Sequence, residues 1–140
     1  MKTNKFLSRL AAGYVLFSVI SVLSVSVMAF YSPQTVMNLV ATNLPNNDAI
    51  SSIRGVYGGV GFTIVLALIY TLRRSVAESL GFLSLFWGLY AASRLMTILA
   101  DGQLGAFGTR WLLMESFFCL AALLLRFLMR RSGAVTPAFS

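Results

Sequence analysis

A few polar side chains that could do chemistry stand inside or beside long apolar stretches of this sequence. A carboxylate can carry a proton, and a guanidinium can bind an anion or stabilise developing negative charge. Because ionisable groups are expensive within a membrane, those found there are functional candidates by default. The candidates are Arg54, Tyr57, Arg94, Asp101 and Glu115.

Several other kinds of chemistry lack the residues that they need. The chain of 140 residues contains no histidine, the commonest metal ligand and general base. The single cysteine, Cys119, excludes an intramolecular disulfide and a multi-cysteine metal site. Since no cofactor motif is present either, we expect no cofactor and no metal.

The composition predicts a membrane protein. Hydrophobic residues make up 58% of the chain, charged residues 11%, and the mean hydropathy is +0.82. A soluble domain carries roughly a quarter charged residues. A soluble fold of this length could not bury so much apolar surface, so the excess must face lipid.

Four apolar stretches are each long enough to cross the hydrocarbon core, which takes about 20 helical residues. Backbone polar groups in lipid must be paired internally, so these stretches are predicted to be helices. We therefore predict an all-α membrane fold, a single four-helix transmembrane bundle over residues 10–131. A short interfacial helix is predicted to begin at Pro33, between the first and second spans. The predicted spans are residues 10–31, 51–72, 79–100 and 109–129.

The basic residues predict the orientation of these spans. Lys and Arg stand before the first span, between the second and third, and after the fourth, whereas residues 32–50 and 101–108 contain none. By the positive-inside rule the N-terminus (residues 1–9) and the tail (residues 132–140) are cytoplasmic. The chain is expected to cross the membrane several times, with both ends on the cytoplasmic side. The net charge of +7 is then a topology signal, and no nucleic-acid partner is expected.

The first span also has features of a secretory signal peptide. Basic residues precede it, and Val27-Met28-Ala29 resembles a cleavage site. Its apolar stretch of about 20 residues exceeds the roughly 7 to 15 of a signal peptide, which favours a retained helix. The other three spans are the same in either case.

The predicted spans bring the candidate residues to one level. At about 1.5 Å per residue, Arg54, Tyr57, Arg94 and Glu115 lie about 5 to 9 Å below the outer surface, with Asp101 just above. We expect these five residues to form one outer polar cluster, and Arg94 to pair directly with Glu115. Two interpretations stay open: a pocket for a ligand, and a structural clasp that holds the helices in register.

Small residues and aromatic residues predict how the helices pack. Glycines four apart at Gly55 and Gly59, and the series Ser84, Gly88 and Ala92, let helices approach closely, within the chain or in a homo-oligomer. The aromatic residues Trp87, Tyr90 and Trp111 are predicted to be lipid or interface anchors.

The same residues carry a resemblance to a known family. The string from Ile53 to Gly59, followed by Ser93-Arg94, Asp101-Gly102 and Glu115, resembles the pattern of domain-of-unknown-function family 4345. The resemblance covers about residues 10–129 and implies a small four-helix bacterial membrane protein, without implying an activity. The size and helix number are more distantly similar to those of DoxX-like proteins.

Two function classes compete at this stage. The first is a bacterial inner-membrane protein that binds a small polar or lipidic ligand, or assists a membrane complex, through the outer polar cluster. Its partners would be the lipid bilayer, a small molecule or lipid, and a membrane protein or a second copy. The alternative is an isomerase-like membrane enzyme with Glu115 as proton carrier and Arg54 or Arg94 as electrostatic stabiliser. The absence of a nucleophile beside a base favours the first class, and enzyme activity stays open.

Overall fold

The computed structural model describes residues 2–131, with side chains from residue 5 onward, so the predicted tail at 132–140 lies outside the described residues. Within this part of the chain all regular structure is helical, and no strand is present. The elements are α1 (Lys2–Tyr31), α2 (Pro33–Asn38), α3 (Asn47–Ile53), a π-helical segment (Arg54–Val60), α4 (Gly61–Arg74), α5 (Val76–Ala100) and α6 (Ala106–Arg131).

Four helical stretches are long and apolar enough to cross a membrane. They are Lys5–Tyr31, Asn47–Arg74, Val76–Ala100 and Ala106–Arg131, with 25 to 28 residues each. At about 1.5 Å per residue these lengths exceed the roughly 30 Å of a hydrocarbon core. Each predicted span lies inside one of the observed helices. The prediction of four membrane-spanning helices is therefore confirmed by length and composition, and the chain is a multi-pass membrane protein.

A short helix follows the first span, as predicted. It begins with Pro33 at its first position, where the missing N–H leaves no helical hydrogen bond unmade. The next residue, Gln34, ties the following loop together. Its Nε2 donates to the carbonyl of Thr42 at 2.9 Å, and its Oε1 accepts from the backbone N–H of Leu44 at 2.9 Å. The connection between the first two spans is thus held by its own polar side chains.

The chain divides into two compact units. Residues 16–70 form one unit, here named the central unit, and the described residues before and after them form the other, the terminal unit. The central unit contains the second half of α1, the two short helices, the π-helical segment and most of α4. The terminal unit contains the first half of α1 and the helices α5 and α6. One transmembrane domain over residues 10–131 stays a prediction.

In the central unit α1 approaches the π-helical segment at Gly58 and the start of α4 at Gly61. A Cβ added at Gly58 would lie 3.1 Å from the ring of Phe30, and one added at Gly61 would collide with the hydroxyl of Ser26. The predicted small pair, Gly55 and Gly59, has no described atom within 4 Å of its Cβ positions. Packing of this pair within the chain is therefore not found among the described residues, because a π-helix turns less per residue than the roughly 100° of an α-helix. Contact of the pair with a second copy stays a prediction. An α-helical face therefore does not continue through Arg54–Val60.

In the terminal unit α5 and α6 run antiparallel. Contacts join Arg94 to Glu115, and the Cβ position of Gly88 lies 3.3 Å from Sγ of Cys119. The thiol of Cys119 also donates to the carbonyl of Ser84 at 3.3 Å. Two of the three small residues predicted on α5 thus line this interface, whereas Ala92 is exposed. The chain reverses between the helices at Gly102, whose φ of +104° suits a residue without Cβ.

Candidate functional site

The predicted pair between Arg94 and Glu115 is formed across α5 and α6. Nε of Arg94 donates to Oε2 of Glu115 at 2.7 Å, and Nη2 donates to Oε1 at 2.9 Å. This is the bidentate arrangement in which a planar guanidinium matches both oxygens of a carboxylate. Arg94 lies about 9 Å before the end of α5 at Ala100, at about 1.5 Å per residue. The pair therefore belongs to the membrane-spanning part of both helices.

The two partners differ in exposure. The side chain of Glu115 is 2% exposed, whereas that of Arg94 is 22% exposed. The carboxylate is enclosed between the helices, while one edge of the guanidinium reaches the surface of the chain. The Nη1 amino group of Arg94 donates to no described residue. The pair is neutral as a unit, and what it offers to its surroundings is a set of N–H donors.

An aromatic group joins α1, α5 and α6 within one to two helical turns of the pair. The rings of Trp87 and Phe118 lie 5.2 Å apart, and Tyr14 packs on Phe118 at 6.2 Å. The hydroxyl of Tyr14 donates to the carbonyl of Phe118 at 2.7 Å, which ties α1 to α6 within the terminal unit. Phe118 follows Glu115 by about one helical turn, so it lies near the same face of α6 as the carboxylate.

Trp87 is buried, contrary to its prediction as an anchor. Only 8% of it is exposed, and its indole N–H has no acceptor among the described residues. It precedes Arg94 by about two helical turns and so lies on the same face of α5. The spacing of two helical turns between Trp87 and Arg94 is the only feature of the sequence that places Trp87 on the face of α5 that carries the site.

Asp101 does not join the pair. It is exposed at the end of α5, where its backbone N–H donates to the carbonyl of Thr97 at 2.8 Å. Its carboxylate forms no ion pair with a residue of the described range 2–131. Asp101 and Gly102 instead form the turn that ends the helix.

Arg54 and Tyr57 lie in the central unit. Nε of Arg54 donates to the carbonyl of Phe30 at 3.1 Å, in the last turn of α1. Carbonyls in that position have no partner within their own helix, so Arg54 acts as a cap. The acidic residue of this unit, Asp48, forms no ion pair with it. Tyr57 is half-buried and packs against a small apolar cluster of Ala29, Val36 and Met37.

Of the five residues predicted for the outer polar cluster, Arg94 and Glu115 are joined directly. Arg54 and Tyr57 have separate contacts within their own unit. The grouping of all five into one site stays a prediction. Among the described residues, no group of three or more His, Cys, Asp or Glu side chains could hold a metal ion.

The comparison with family profiles gives one result. The profile described as Domain of unknown function (DUF4345) matches residues 10–126 of this chain, which is most of its length. The predicted resemblance is thereby confirmed. Among curated proteins no sequence matches the chain, and among solved structures none matches it either.

Proposed function

The chain belongs to the DUF4345 family, and from that premise we propose that it is a bacterial inner-membrane protein that binds a small polar or lipidic ligand through Arg94. The observation that carries this proposal is the unequal exposure of the ion pair, with Glu115 enclosed and Arg94 open along one edge. An ion pair that only held the two helices in register would have no need of an exposed guanidinium. The exposed edge of Arg94 leaves N–H donors that a ligand can reach, which supports a pocket.

The chemistry of the open edge defines the ligand class. The N–H groups of Arg94 that Glu115 does not use require an oxygen acceptor, such as a carbonyl, a hydroxyl, a carboxylate or a headgroup oxygen. Glu115 already balances the charge, so the ligand itself need not be an anion. Exposed, largely apolar side chains one turn before and one turn after Arg94 on α5, Tyr90 and Ile98, lie on the same face of the helix as the guanidinium. A molecule with an acceptor oxygen and an apolar body fits these surroundings.

Trp87 places a second unpaired donor on the same face of α5, but this donor is buried. Its indole N–H has no acceptor among the described residues, and an unpaired buried donor is costly. The two donors are separated by about 10 Å, or two helical turns. Because the indole N–H is enclosed, a ligand bound at Arg94 does not reach it, and the proposed ligand contact is Arg94 alone.

The enzyme alternative receives less support from the geometry. A proton carrier must bring an oxygen within hydrogen-bond reach of its substrate. Both oxygens of Glu115 accept hydrogen bonds from Arg94, and the side chain is 2% exposed. A substrate would have to displace Arg94 before it could meet the carboxylate.

The experiment compares the molecules that co-purify with three forms of the protein. Wild type, Arg94→Gln and Arg110→Gln are purified in mild detergent, and bound lipids and metabolites are identified by native mass spectrometry. Arg110 is a matched control, because it is exposed near the same end and its Nε donates to Ala106 of its own helix at 3.2 Å. Loss of charge-assisted hydrogen bonds weakens binding about 10-fold to 100-fold. We expect Arg94→Gln to lose the ligand and Arg110→Gln to retain it.

Equal occupancy in all three proteins would contradict the proposal, and so would a wild type that carries nothing. Arg94→Lys keeps a positive charge beside Glu115 and so separates loss of the ligand from loss of the fold. A reaction that Arg94→Gln retains and Glu115→Gln loses would favour the enzyme instead.

A further inference from the structure

A second arginine lies within a membrane-spanning helix, far along α6 from the ion pair. The guanidinium of Arg126 packs directly on Gly81 of α5, which is buried. A Cβ added at Gly81 would lie 2.8 Å from Cζ of Arg126 and 3.0 Å from Nη1. The absence of a side chain at Gly81 therefore makes room for this guanidinium.

Among the described residues, Arg126 has no counter-charge. Its Nε is buried and has no hydrogen-bond partner, and none of its N–H groups donates to a residue in the described range 2–131. The acidic residue about one turn before Gly81 on α5, Glu78, is exposed and forms no ion pair with a described residue. A guanidinium held within a membrane helix is stable only when paired or wet. The described part of the chain supplies the cation without an anion to pair it.

The surroundings of Arg126 attract anions. Both α4 and α6 end at this side of the terminal unit. The last turn of α4 carries the exposed Arg73, and the last turn of α6 carries the exposed Arg130 and Arg131. Arg126 lies about 7 to 8 Å inside the end of α6, within reach of the headgroup region at about 1.5 Å per residue.

The flanks of the site are apolar and exposed. Leu85 follows Gly81 by about one turn on α5, and Leu123 and Phe127 flank Arg126 on α6. Free phosphate would gain nothing from these side chains, whereas acyl chains would pack on them. We propose that Arg126 and Gly81 form a binding site for the phosphate of an anionic phospholipid in the leaflet at this basic end, which is the predicted cytoplasmic side. This site is independent of the ligand proposed at Arg94.

The test measures the binding of phosphatidylglycerol and phosphatidylcholine to the full-length protein in detergent, by native mass spectrometry of protein incubated in high salt. High salt shortens the screening length to about 3 Å at 1 M, which suppresses the general attraction of the exposed arginines. Wild type should prefer phosphatidylglycerol. Arg126→Gln should weaken that binding by about tenfold or more, since it removes charge-assisted hydrogen bonds.

Gly81→Ala is the most specific variant, because it keeps every charge. The added Cβ has to push the guanidinium away from its place on α5, so binding of phosphatidylglycerol should fall as it does in Arg126→Gln. Arg126→Lys retains the charge but not the flat guanidinium, and it covers the case in which Arg126→Gln does not fold. We expect it to bind more weakly than wild type. The matched control, Arg130→Gln, removes an exposed charge at the same end and should bind like wild type.

Three results would overturn the proposal. One is equal binding of the two lipids by wild type. A second is undiminished binding by Gly81→Ala and Arg126→Lys, and a third is an equal loss in Arg130→Gln. Glycerol phosphate, which has the same phosphate without acyl chains, distinguishes the source of the anion. We expect it to leave bound phosphatidylglycerol in place, and full displacement would mean that a soluble phosphate is the ligand.

Discussion

At the scale of single residues, the membrane helices α5 and α6 can hold the charges of Arg94 and Glu115 only because each charge has its partner. Taking a carboxylate and a guanidinium out of water costs several kcal/mol each, and this cost is repaid only by close, well-aligned contacts. Arg94 and Glu115 meet that condition, with two hydrogen bonds of 2.7 and 2.9 Å. Each residue therefore depends on the other.

This dependence predicts a strongly non-additive response to mutation. Arg94→Ala leaves a carboxylate that is 2% exposed without its counter-ion, and Glu115→Ala leaves the guanidinium. Arg94→Ala, which leaves the enclosed carboxylate unpaired, should lose on the order of 3–5 kcal/mol of stability, and Glu115→Ala should lose less, because water reaches the guanidinium that it leaves. The double variant should lose less than the sum, because no unpaired charge remains. Thermal unfolding of the four proteins in detergent measures this, and small, strictly additive losses would contradict it.

At the scale of helical elements, the second span is the least regular part of the described chain. A π-helical segment, Arg54–Val60, interrupts it between α3 and α4, and the glycine-rich string lies within and just after that segment. Such segments are rare and frequently occur at functional sites. Here the segment sets which glycines face α1: Gly58 meets Phe30, and Gly61 meets Ser26.

The packing at Gly61 gives the prediction at this scale. Gly61→Ala would force its Cβ against Ser26, whose hydroxyl donates to the carbonyl of Val22 at 2.8 Å. Overpacking of this kind costs about 1–3 kcal/mol. Gly55→Ala is the matched control, since no described atom lies within 4 Å of its Cβ position. Unfolding in detergent should show a lower Tm for Gly61→Ala alone. Partial recovery in Gly61→Ala combined with Ser26→Ala would locate the clash, and equal Tm values for the two glycine variants would refute it.

At the scale of the whole molecule, the basic residues in the loops and at the helix ends predict how the four long apolar helices are oriented in the membrane. The loops at 32–50 and 101–108 contain no Lys or Arg, whereas α4 and α6 end in paired arginines. Positive charge near short loops keeps those loops on the cytoplasmic side. An even number of spans then returns the C-terminus to the side of the N-terminus.

The topology can be read with reporter fusions. An alkaline phosphatase fused after Ser140 should be inactive, and a fluorescent reporter at the same point should be active, because that end is predicted to be cytoplasmic. A phosphatase inserted between Asn43 and Asp48 should be active. Phosphatase activity from the C-terminal fusion would contradict the predicted orientation.

The sequence by itself determined the features that depend on one helix at a time. The number of spans follows from lengths of apolar runs, the short helix from Pro33, and the depth of Arg94 and Glu115 from their distance to the span ends. These quantities need only the rise per residue and the cost of polar groups in lipid. Opposite charge at similar depth on consecutive helices was also enough to predict their pairing.

The tertiary structure alone decided the features that depend on the rotation of one helix against another. It turned Gly58 and Gly61, rather than Gly55 and Gly59, towards α1, buried Trp87, left Asp101 outside the ion pair and seated Arg126 on Gly81. Periodicity gives each helix a face but not the partner of that face, and a π-helical segment changes the rotation per residue along the chain. The residue that a side chain contacts, the register of two helices and the part of a side chain that stays exposed are therefore set by the packing of the helices. A single helix does not determine them.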